Sequence, residues 1–323
     1  MSFAVSRRSA IAGALVLMAK PGRGAESPPN EPRLLSTRIA TVAAADPHKV
    51  AEAYARWLTY KIRGTSKVSR ALAESWGAPR TAGQPLIMLS TDANPDVFIR
   101  VVGTKAVPGA AVDRTAGWSS FELIVRDADG LHQSLQTSAF KTLTVPTSPV
   151  KMFPTIKSFR VEGPAGEILF LTCDTGDPAK SILSVPTGPV GHPDVMWISG
   201  PDILKVRDWY ASTFAMVPRP VSQKPIPGTQ DSMPNTVLLM KRPHQLLQFE
   251  GNPEQFAPRP RAEGHLPQGN AMGSFLVADL DALKLPFITP PRALYGKGRA
   301  ATLLDPNGNR VELIEERTAQ LSP

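Results

Sequence analysis

A chain of 323 residues with 42% hydrophobic and 20% charged side chains has room for about two globular domains and is neither fibrous nor low-complexity. Its one cysteine, Cys173, excludes internal disulfides and thiolate-rich metal sites, and reads as a small buried strand residue. The formal charge is +8, but Arg7, Arg8, Lys20 and Arg23 crowd the first 25 residues; beyond them 32 basic side chains face 28 acidic ones, and no basic run with interleaved aromatics remains to hold nucleic acid.

Residues 1–25 run from a basic head through an apolar stretch, Ala10 to Ala19, to a small-residue segment ending at Ala25. Ten apolar residues reach only about 15 Å as a helix, half a bilayer core, so no stable membrane anchor is expected. The head Ser6-Arg7-Arg8-Ser9-Ala10-Ile11 resembles a twin-arginine export signal, with Ala10 where a Phe is usual. Lys20 and Arg23 after the apolar stretch suit that route better than the general secretory one. A periplasmic or secreted protein is expected; a disordered basic extension is the alternative.

From Arg33 onward one unit recurs. Thr37 to Ala43 alternates as a strand, and Asp46-Pro47 opens an amphipathic helix carrying Val50, Tyr54, Trp57 and Leu58. Phe121 to Val125 is a second strand, again leading to an Asp, Asp127. Phe159 to Phe170 folds back at Gly163-Pro164-Ala165-Gly166, where Pro fixes φ and Gly accepts a positive φ. The stretch 176–190, rich in Gly, Pro and Ser, reads as a linker between domains at 34–175 and 191–317.

The second half repeats the first. Val195 to Ser199 is a strand, and Asp202 opens a helix with Ile203, Val206, Tyr210 and Phe214. Ser274 to Ala278 leads to Asp279 as Phe121 to Val125 leads to Asp127. Thr302 to Leu313 is a closing hairpin around Asp305-Pro306-Asn307-Gly308-Asn309. Four strand–helix–strands units in an α+β fold are the simplest account.

That closing turn, followed by Glu312, resembles the last hairpin of the vicinal oxygen chelate superfamily, which includes glyoxalase, bleomycin-resistance and extradiol dioxygenase proteins; the helix ending in Trp209-Tyr210 is similar to the family's first helix. The resemblance spans residues 34–317 and implies paired βαβββ modules whose curved sheets enclose pockets. It also implies a divalent ion (Fe, Mn, Zn or Ni) held by His and Glu side chains on neighbouring strands. Glu312 stands where the closing-strand ligand belongs, whereas the matching position of the first half is Phe170. The first-strand positions, counted back from each helix-opening Asp, are Ile39, Ser120, Val195 and Met272, none a histidine. His192 and His265, near the starts of the third and fourth modules, resemble with Glu312 a two-His, one-carboxylate set. Their register is off by several residues and both neighbour Pro or Gly, so exposed loop histidines are the alternative.

Strand parity directs Val195, Trp197, Ser199, Ser274, Leu276, Glu312 and Ile314 inward in the second half, with Gln248 and Glu250 joining them, and Thr41, Ser120, Glu122 and Phe170 in the first, with Arg100 nearby. Glu122, Glu250 and Glu312 are the carboxylates a half-apolar pocket would perturb. The expected ligand is a small organic molecule, and Glu312 is the candidate metal ligand or general base of a lyase, isomerase or dioxygenase. The second reading is a non-catalytic sequestering protein in which the apolar pocket does the work. A homodimer is compatible with either.

Overall fold

Period-two alternation dominates the folded chain, and sixteen strands form among the described residues. The computed structural model describes residues 31–148, 153–225, 232–252 and 257–316, so the export signal expected at 1–25 lies outside the described residues. The first module is β1 (Ser36–Ala44), α1 (Pro47–Trp57), β2 (Lys61–Lys67), α2 (Arg70–Ser75), β3 (Pro85–Thr91) and β4 (Asn94–Gly103). The second is β5 (Gly117–Val125), α3 (Ala128–Leu135), β6 (Lys141–Thr142), β7 (Ile156–Glu162) and β8 (Ile168–Asp174). The third is β9 (Val190–Gly200), α4 (Ile203–Thr213), β10 (Ser222–Pro225), β11 (Ser232–Leu239) and β12 (Leu246–Gly251). The fourth is β13 (Gly269–Val277), β14 (Arg292–Tyr295), β15 (Gly298–Leu304) and β16 (Arg310–Glu315). Among the described residues no helix is long and apolar enough to cross a membrane.

Two of the helix-opening Asp residues act as caps, while Asp202 before α4 makes no side-chain cap bond among the described residues. Asp46 accepts a hydrogen bond from the Lys49 backbone N–H at 3.1 Å with Pro47 in the first turn, and Asp127 does the same for Gly130 at 3.0 Å. The fourth module departs from the repeat: after Asp279 there is a single 3-10 turn, Asp281–Leu283, in place of a helix. Lys284 turns left-handed at φ 48°, and Pro286, Pro290 and Pro291 forbid continuation. The first module gains α2, which the sequence did not announce; Ser69 caps it through the Leu72 N–H.

Modules pair across the halves of the chain. One eight-stranded sheet runs β14-β15-β16-β13-β1-β4-β3-β2, joining the first and fourth modules; the other runs β10-β11-β12-β9-β5-β8-β7-β6, joining the second and third. The expected division at 176–190 therefore does not separate the sheets: that segment connects β8 to β9, two strands of the same sheet. Within each module the first and last strands are parallel neighbours, and the modules meet through antiparallel first strands, β1 with β13 and β5 with β9.

Each sheet is curled and has two differently used faces. Outer faces contribute Val42, Ile99, Val101, Phe275 and Leu313 from one sheet and Phe121, Leu169, Ile198 and Phe249 from the other to a common core, with Tyr54 of α1 and Tyr210 of α4. Where β13 packs against β5 Gly273 is required: a Cβ there would lie 2.9 Å from both the Trp118 and Phe275 rings. Inner faces form separate clusters, one around Ile39, Trp76, Met88, Phe98, Leu276 and Ile314, the other around Phe170, Val195, Trp197 and Leu246. These inner faces hold the buried polar chemistry.

Candidate functional site

The four central strands of the first sheet bring polar side chains together in the middle of its inner face: Thr41 opposite Arg100 on β1 and β4, and Ser274 opposite Glu312 on β13 and β16. Counting back from the helix-opening Asp selects the right face but falls one pleat short; the converging positions are Thr41, Glu122, Trp197 and Ser274, two residues beyond Ile39, Ser120, Val195 and Met272.

Glu312 is the centre of this group, with both it and Arg100 at 0% side-chain exposure. Its Oε1 accepts from Trp76 Nε1 at 2.8 Å and from the Tyr295 hydroxyl at 2.7 Å. Its Oε2 accepts from Ser274 Oγ at 2.6 Å and from Arg100 Nη2 at 3.0 Å. Arg100 donates in addition to Thr41 Oγ1, through Nε at 3.0 Å and Nη2 at 2.7 Å, and to the Tyr295 oxygen through Nη1, while its guanidinium lies 4.5 Å from the centre of the Trp76 ring. A carboxylate has about four lone-pair sites, and here four donors fill them. Burial by itself would push the Glu312 carboxyl up; Arg100, with Ser274, Trp76 and Tyr295, outweighs it and holds the group below its ordinary value. Burial pushes the Tyr295 hydroxyl well above its ordinary value; Arg100 opposes this and Glu312 reinforces it.

A divalent ion does not fit these residues. The family resemblance asks for an inward cluster of anionic or neutral ligands, and the middle of this cluster is a guanidinium already paired with the one carboxylate. His192 and His265 do not join Glu312. His192 lies in β9, in the other sheet rather than in a loop, with Nε2 2.8 Å from Asp194 Oδ1. His265 stands in the loop before β13, where burial and the cations Arg80 and Lys105 hold its imidazole below the ordinary value. Among the described residues no three His, Cys, Asp or Glu side chains converge as a metal site. The His192–His265–Glu312 set is thus corrected: strand order puts His192 in the other sheet, and His265, although in the same module as Glu312, stays in the loop before β13.

Beside this ion pair lies a cavity of about 200 Å³, walled by Leu72, Leu86, Met88, Phe98 and Leu294, floored by Tyr295, and edged by Ser66, Lys67 and Ser69. Tyr295 is the link, one side of its ring to the cavity and its hydroxyl on Glu312 and Arg100. None of these lining residues was singled out from sequence. Met88, Leu86 and Phe98 share Arg100's parity on paired strands and were legible in that sense, but Leu72 and Ser69 depend on the unannounced α2, and Tyr295 on the equally unannounced β14. Of the expected pocket residues, Ser274 serves the ion pair and Leu276 packs in the inner-face core of this sheet.

The remaining expected pocket residues lie in the second sheet. Trp197 stacks on Phe170 at 4.7 Å between ring centres and donates its Nε1 to Glu122 Oε2 at 3.0 Å. Burial pushes the Glu122 carboxyl up to about 7 against the lowering effect of Thr172 and Trp197. Gln248 donates to Asn235 Oδ1 at 2.9 Å, and Glu250 is paired with Lys224 at 3.0 Å. Ser199, Trp197, Phe170, Glu250 and Arg160 border a cavity of only about 40 Å³, room for a few waters.

No family model matches the chain, and no curated protein is similar to it in sequence. Solved structures are similar in fold. Glyoxalase I from Zea mays matches with a TM-score of 0.59 at 15% identity, over 88% of this chain and 93% of that one. A point mutant of that enzyme gives 0.61 at 15% identity, with the same coverage of 88% and 93%. A candidate dioxygenase from Bacillus subtilis gives 0.58 at 10% identity, over 88% of this chain and 86% of that one. The shared property is the α+β fold with its two curled sheets.

Proposed function

We propose that this chain is an exported member of the vicinal oxygen chelate superfamily that binds a small, largely apolar organic molecule in the cavity above Tyr295, with no metal and no general base at Glu312. One observation carries the reading: Glu312, the carboxylate the family pattern would assign to chemistry, is saturated by four donors and sealed from solvent, while the adjoining cavity is apolar and open enough for a ligand. A base must be able to reach the proton it takes, and a metal needs a free lone pair; Glu312 offers neither. Apolar walls with a few polar groups at one edge are what small-molecule sites require. Ser66, Lys67 and Ser69 at the edge suit a hydroxyl or carboxylate on an aromatic or branched aliphatic body. Export rests on the Arg7-Arg8 head and the apolar stretch behind it.

Melting the purified protein with a panel of small aromatic compounds, among them phenol, indole and salicylate, tests the reading. A saturable rise that disappears in Met88→Trp, whose indole would fill the cavity, supports it. A panel that shifts nothing, or a shift that Met88→Trp leaves intact, overturns it.

A further inference from the structure

The closing turn has a second consequence, at the end of the first sheet. Asn307, Gly308 and Asn309 reach across to the second sheet, where Gly117 and Gly200 leave space for them: a Cβ on Gly117 would lie 3.0 Å from Asn309 Oδ1, and one on Gly200 would lie 3.1 Å from Asn307 Nδ2. The cleft so formed is lined by Gly117, Trp118, Arg259, Arg261, the Asn307–Arg310 segment and neighbouring apolar or amide residues, with no carboxylate among its lining residues. Three guanidinium groups meet there.

Two of the three are buried, Arg259 at 5% exposure and Arg310 at 4%. Neither has an ion-pair partner among the described residues. Arg259 is held by neutral oxygens: Nε donates to Thr115 Oγ1 at 3.0 Å, Nη1 to the Asn270 and Gln268 carbonyls at 2.7 and 3.4 Å, and Nη2 to the Trp118 carbonyl at 2.9 Å. Arg310 donates Nε to the Trp76 carbonyl at 2.5 Å and Nη2 to the Gly77 carbonyl at 2.9 Å, which leaves its Nη1 without a partner among the described residues. Burial lowers both guanidinium groups, to about 9 for Arg259, where Asp113 opposes the effect, and to about 10 for Arg310, where Arg261 adds to it. Arg261 is exposed at the cleft mouth, and the buried Asn307 Nδ2 also lacks a partner. A buried cation without a counter-charge is costly, and nearby like charges make it more so.

We propose that this cleft binds a small tetrahedral oxyanion, a phosphate or sulfate group, through Arg261, Arg310 Nη1 and Asn307 Nδ2. The enclosed part of the cleft, about 20 Å³, has room for one water-sized group, so it would take one oxygen of the anion while the rest of the head group lies toward the exposed Arg261. Carbonyl bonds fix the two buried guanidinium groups in advance, so binding orders little besides Arg261. The site is separate from the cavity above Tyr295 and needs no occupant there.

The full chain is titrated calorimetrically and melted with inorganic phosphate, sulfate or phenyl phosphate, against sodium chloride of equal ionic strength. At ten times the dissociation constant, saturating phosphate raises the melting temperature by about 2 °C. Arg261→Ala and Asn307→Ala each weaken binding at least tenfold and leave the anion-free melting temperature unchanged, because neither side chain makes a structural bond among the described residues. Tighter binding of phenyl phosphate than of phosphate identifies an organic phosphate as the ligand; equal binding identifies the free anion. No saturable effect beyond that of chloride, or an effect retained in both variants, overturns the proposal and leaves the arginines as braces between the sheets.

Discussion

Arg100 and Glu312 lie 212 positions apart in the chain, yet their side chains meet at 3.0 Å in the middle of one sheet with no exposure to solvent. The pair exists because the first module and the fourth share that sheet, and it stands where the family pattern would place a metal and its ligand.

Removing one partner strands the other. Arg100→Met is expected to destabilise the protein by about 3–5 kcal/mol, since Glu312 would be left buried and unneutralised. The double variant Arg100→Met with Glu312→Leu recovers much of that loss, as buried pairs exchanged for apolar side chains often do. Denaturant melts of the two singles and the double measure the coupling. Losses that simply add would mean that the pair does not hold the sheet centre together.

Acid acts on the same pair. The folded-state value of Glu312 is below its unfolded one, so its contribution is fully present above the ordinary glutamate range and is lost as pH falls through that range and below it. Glu122 and Glu167 do the reverse: burial raises each to about 7, and Asp305 to about 6. Their folded states keep protons that the unfolded chain gives up, so stability falls as pH rises from about 4.5 to about 7 and levels off above. Glu122→Gln should remove part of that decline, up to about 3 kcal/mol by linkage. A stability–pH curve between 4.5 and 7 identical to wild type would show that Glu122 ionises normally.

Dialysis against a chelator should leave the melting temperature of the wild-type protein unchanged, and metal analysis should find no stoichiometric ion dependent on Glu312. A Fe, Mn, Zn or Ni ion that co-purifies one to one and is lost in Glu312→Ala would falsify the assignment of Arg100 as the resident cation.

Tyr295→Phe separates the cavity from the ion pair. It removes one of the two donors on Glu312 Oε1 and should cost about 1–3 kcal/mol, while the aromatic floor of the cavity survives. Affinity for a small aromatic ligand should change less than threefold. A large loss of affinity with no loss of stability would make the hydroxyl a direct ligand contact.

The repeat was legible because local chemistry announces it. Asp46 and Asp127 cap helices where predicted, Gly166 and Gly308 take positive φ in the two expected hairpins at 77° and 76°, and strand parity put Thr41, Glu122, Trp197, Ser274 and Glu312 on inner faces. What joins those residues was not legible. Trp197 and Ser274 lie in the same half of the sequence but in different sheets, since module pairing is decided by edge complementarity over more than a hundred residues. The cation was misread for a related reason: Glu312 suggested a ligand, and only the strand order shows that Arg100, from the other end of the chain, neutralises it.

Because the first and fourth modules close one sheet and the second and third the other, neither half of the polypeptide owns a whole sheet. Separating the two pieces left by a cut between β8 and β9 would bare the β1 and β5 edges on one piece and the β13 and β9 edges on the other, four rows of amides that match in pairs. Each fragment alone would be adhesive and incomplete; mixed together, they could restore both sheets at once and with them the Arg100–Glu312 contact. A nick in that connection would thus be tolerated far better than the loss of either piece.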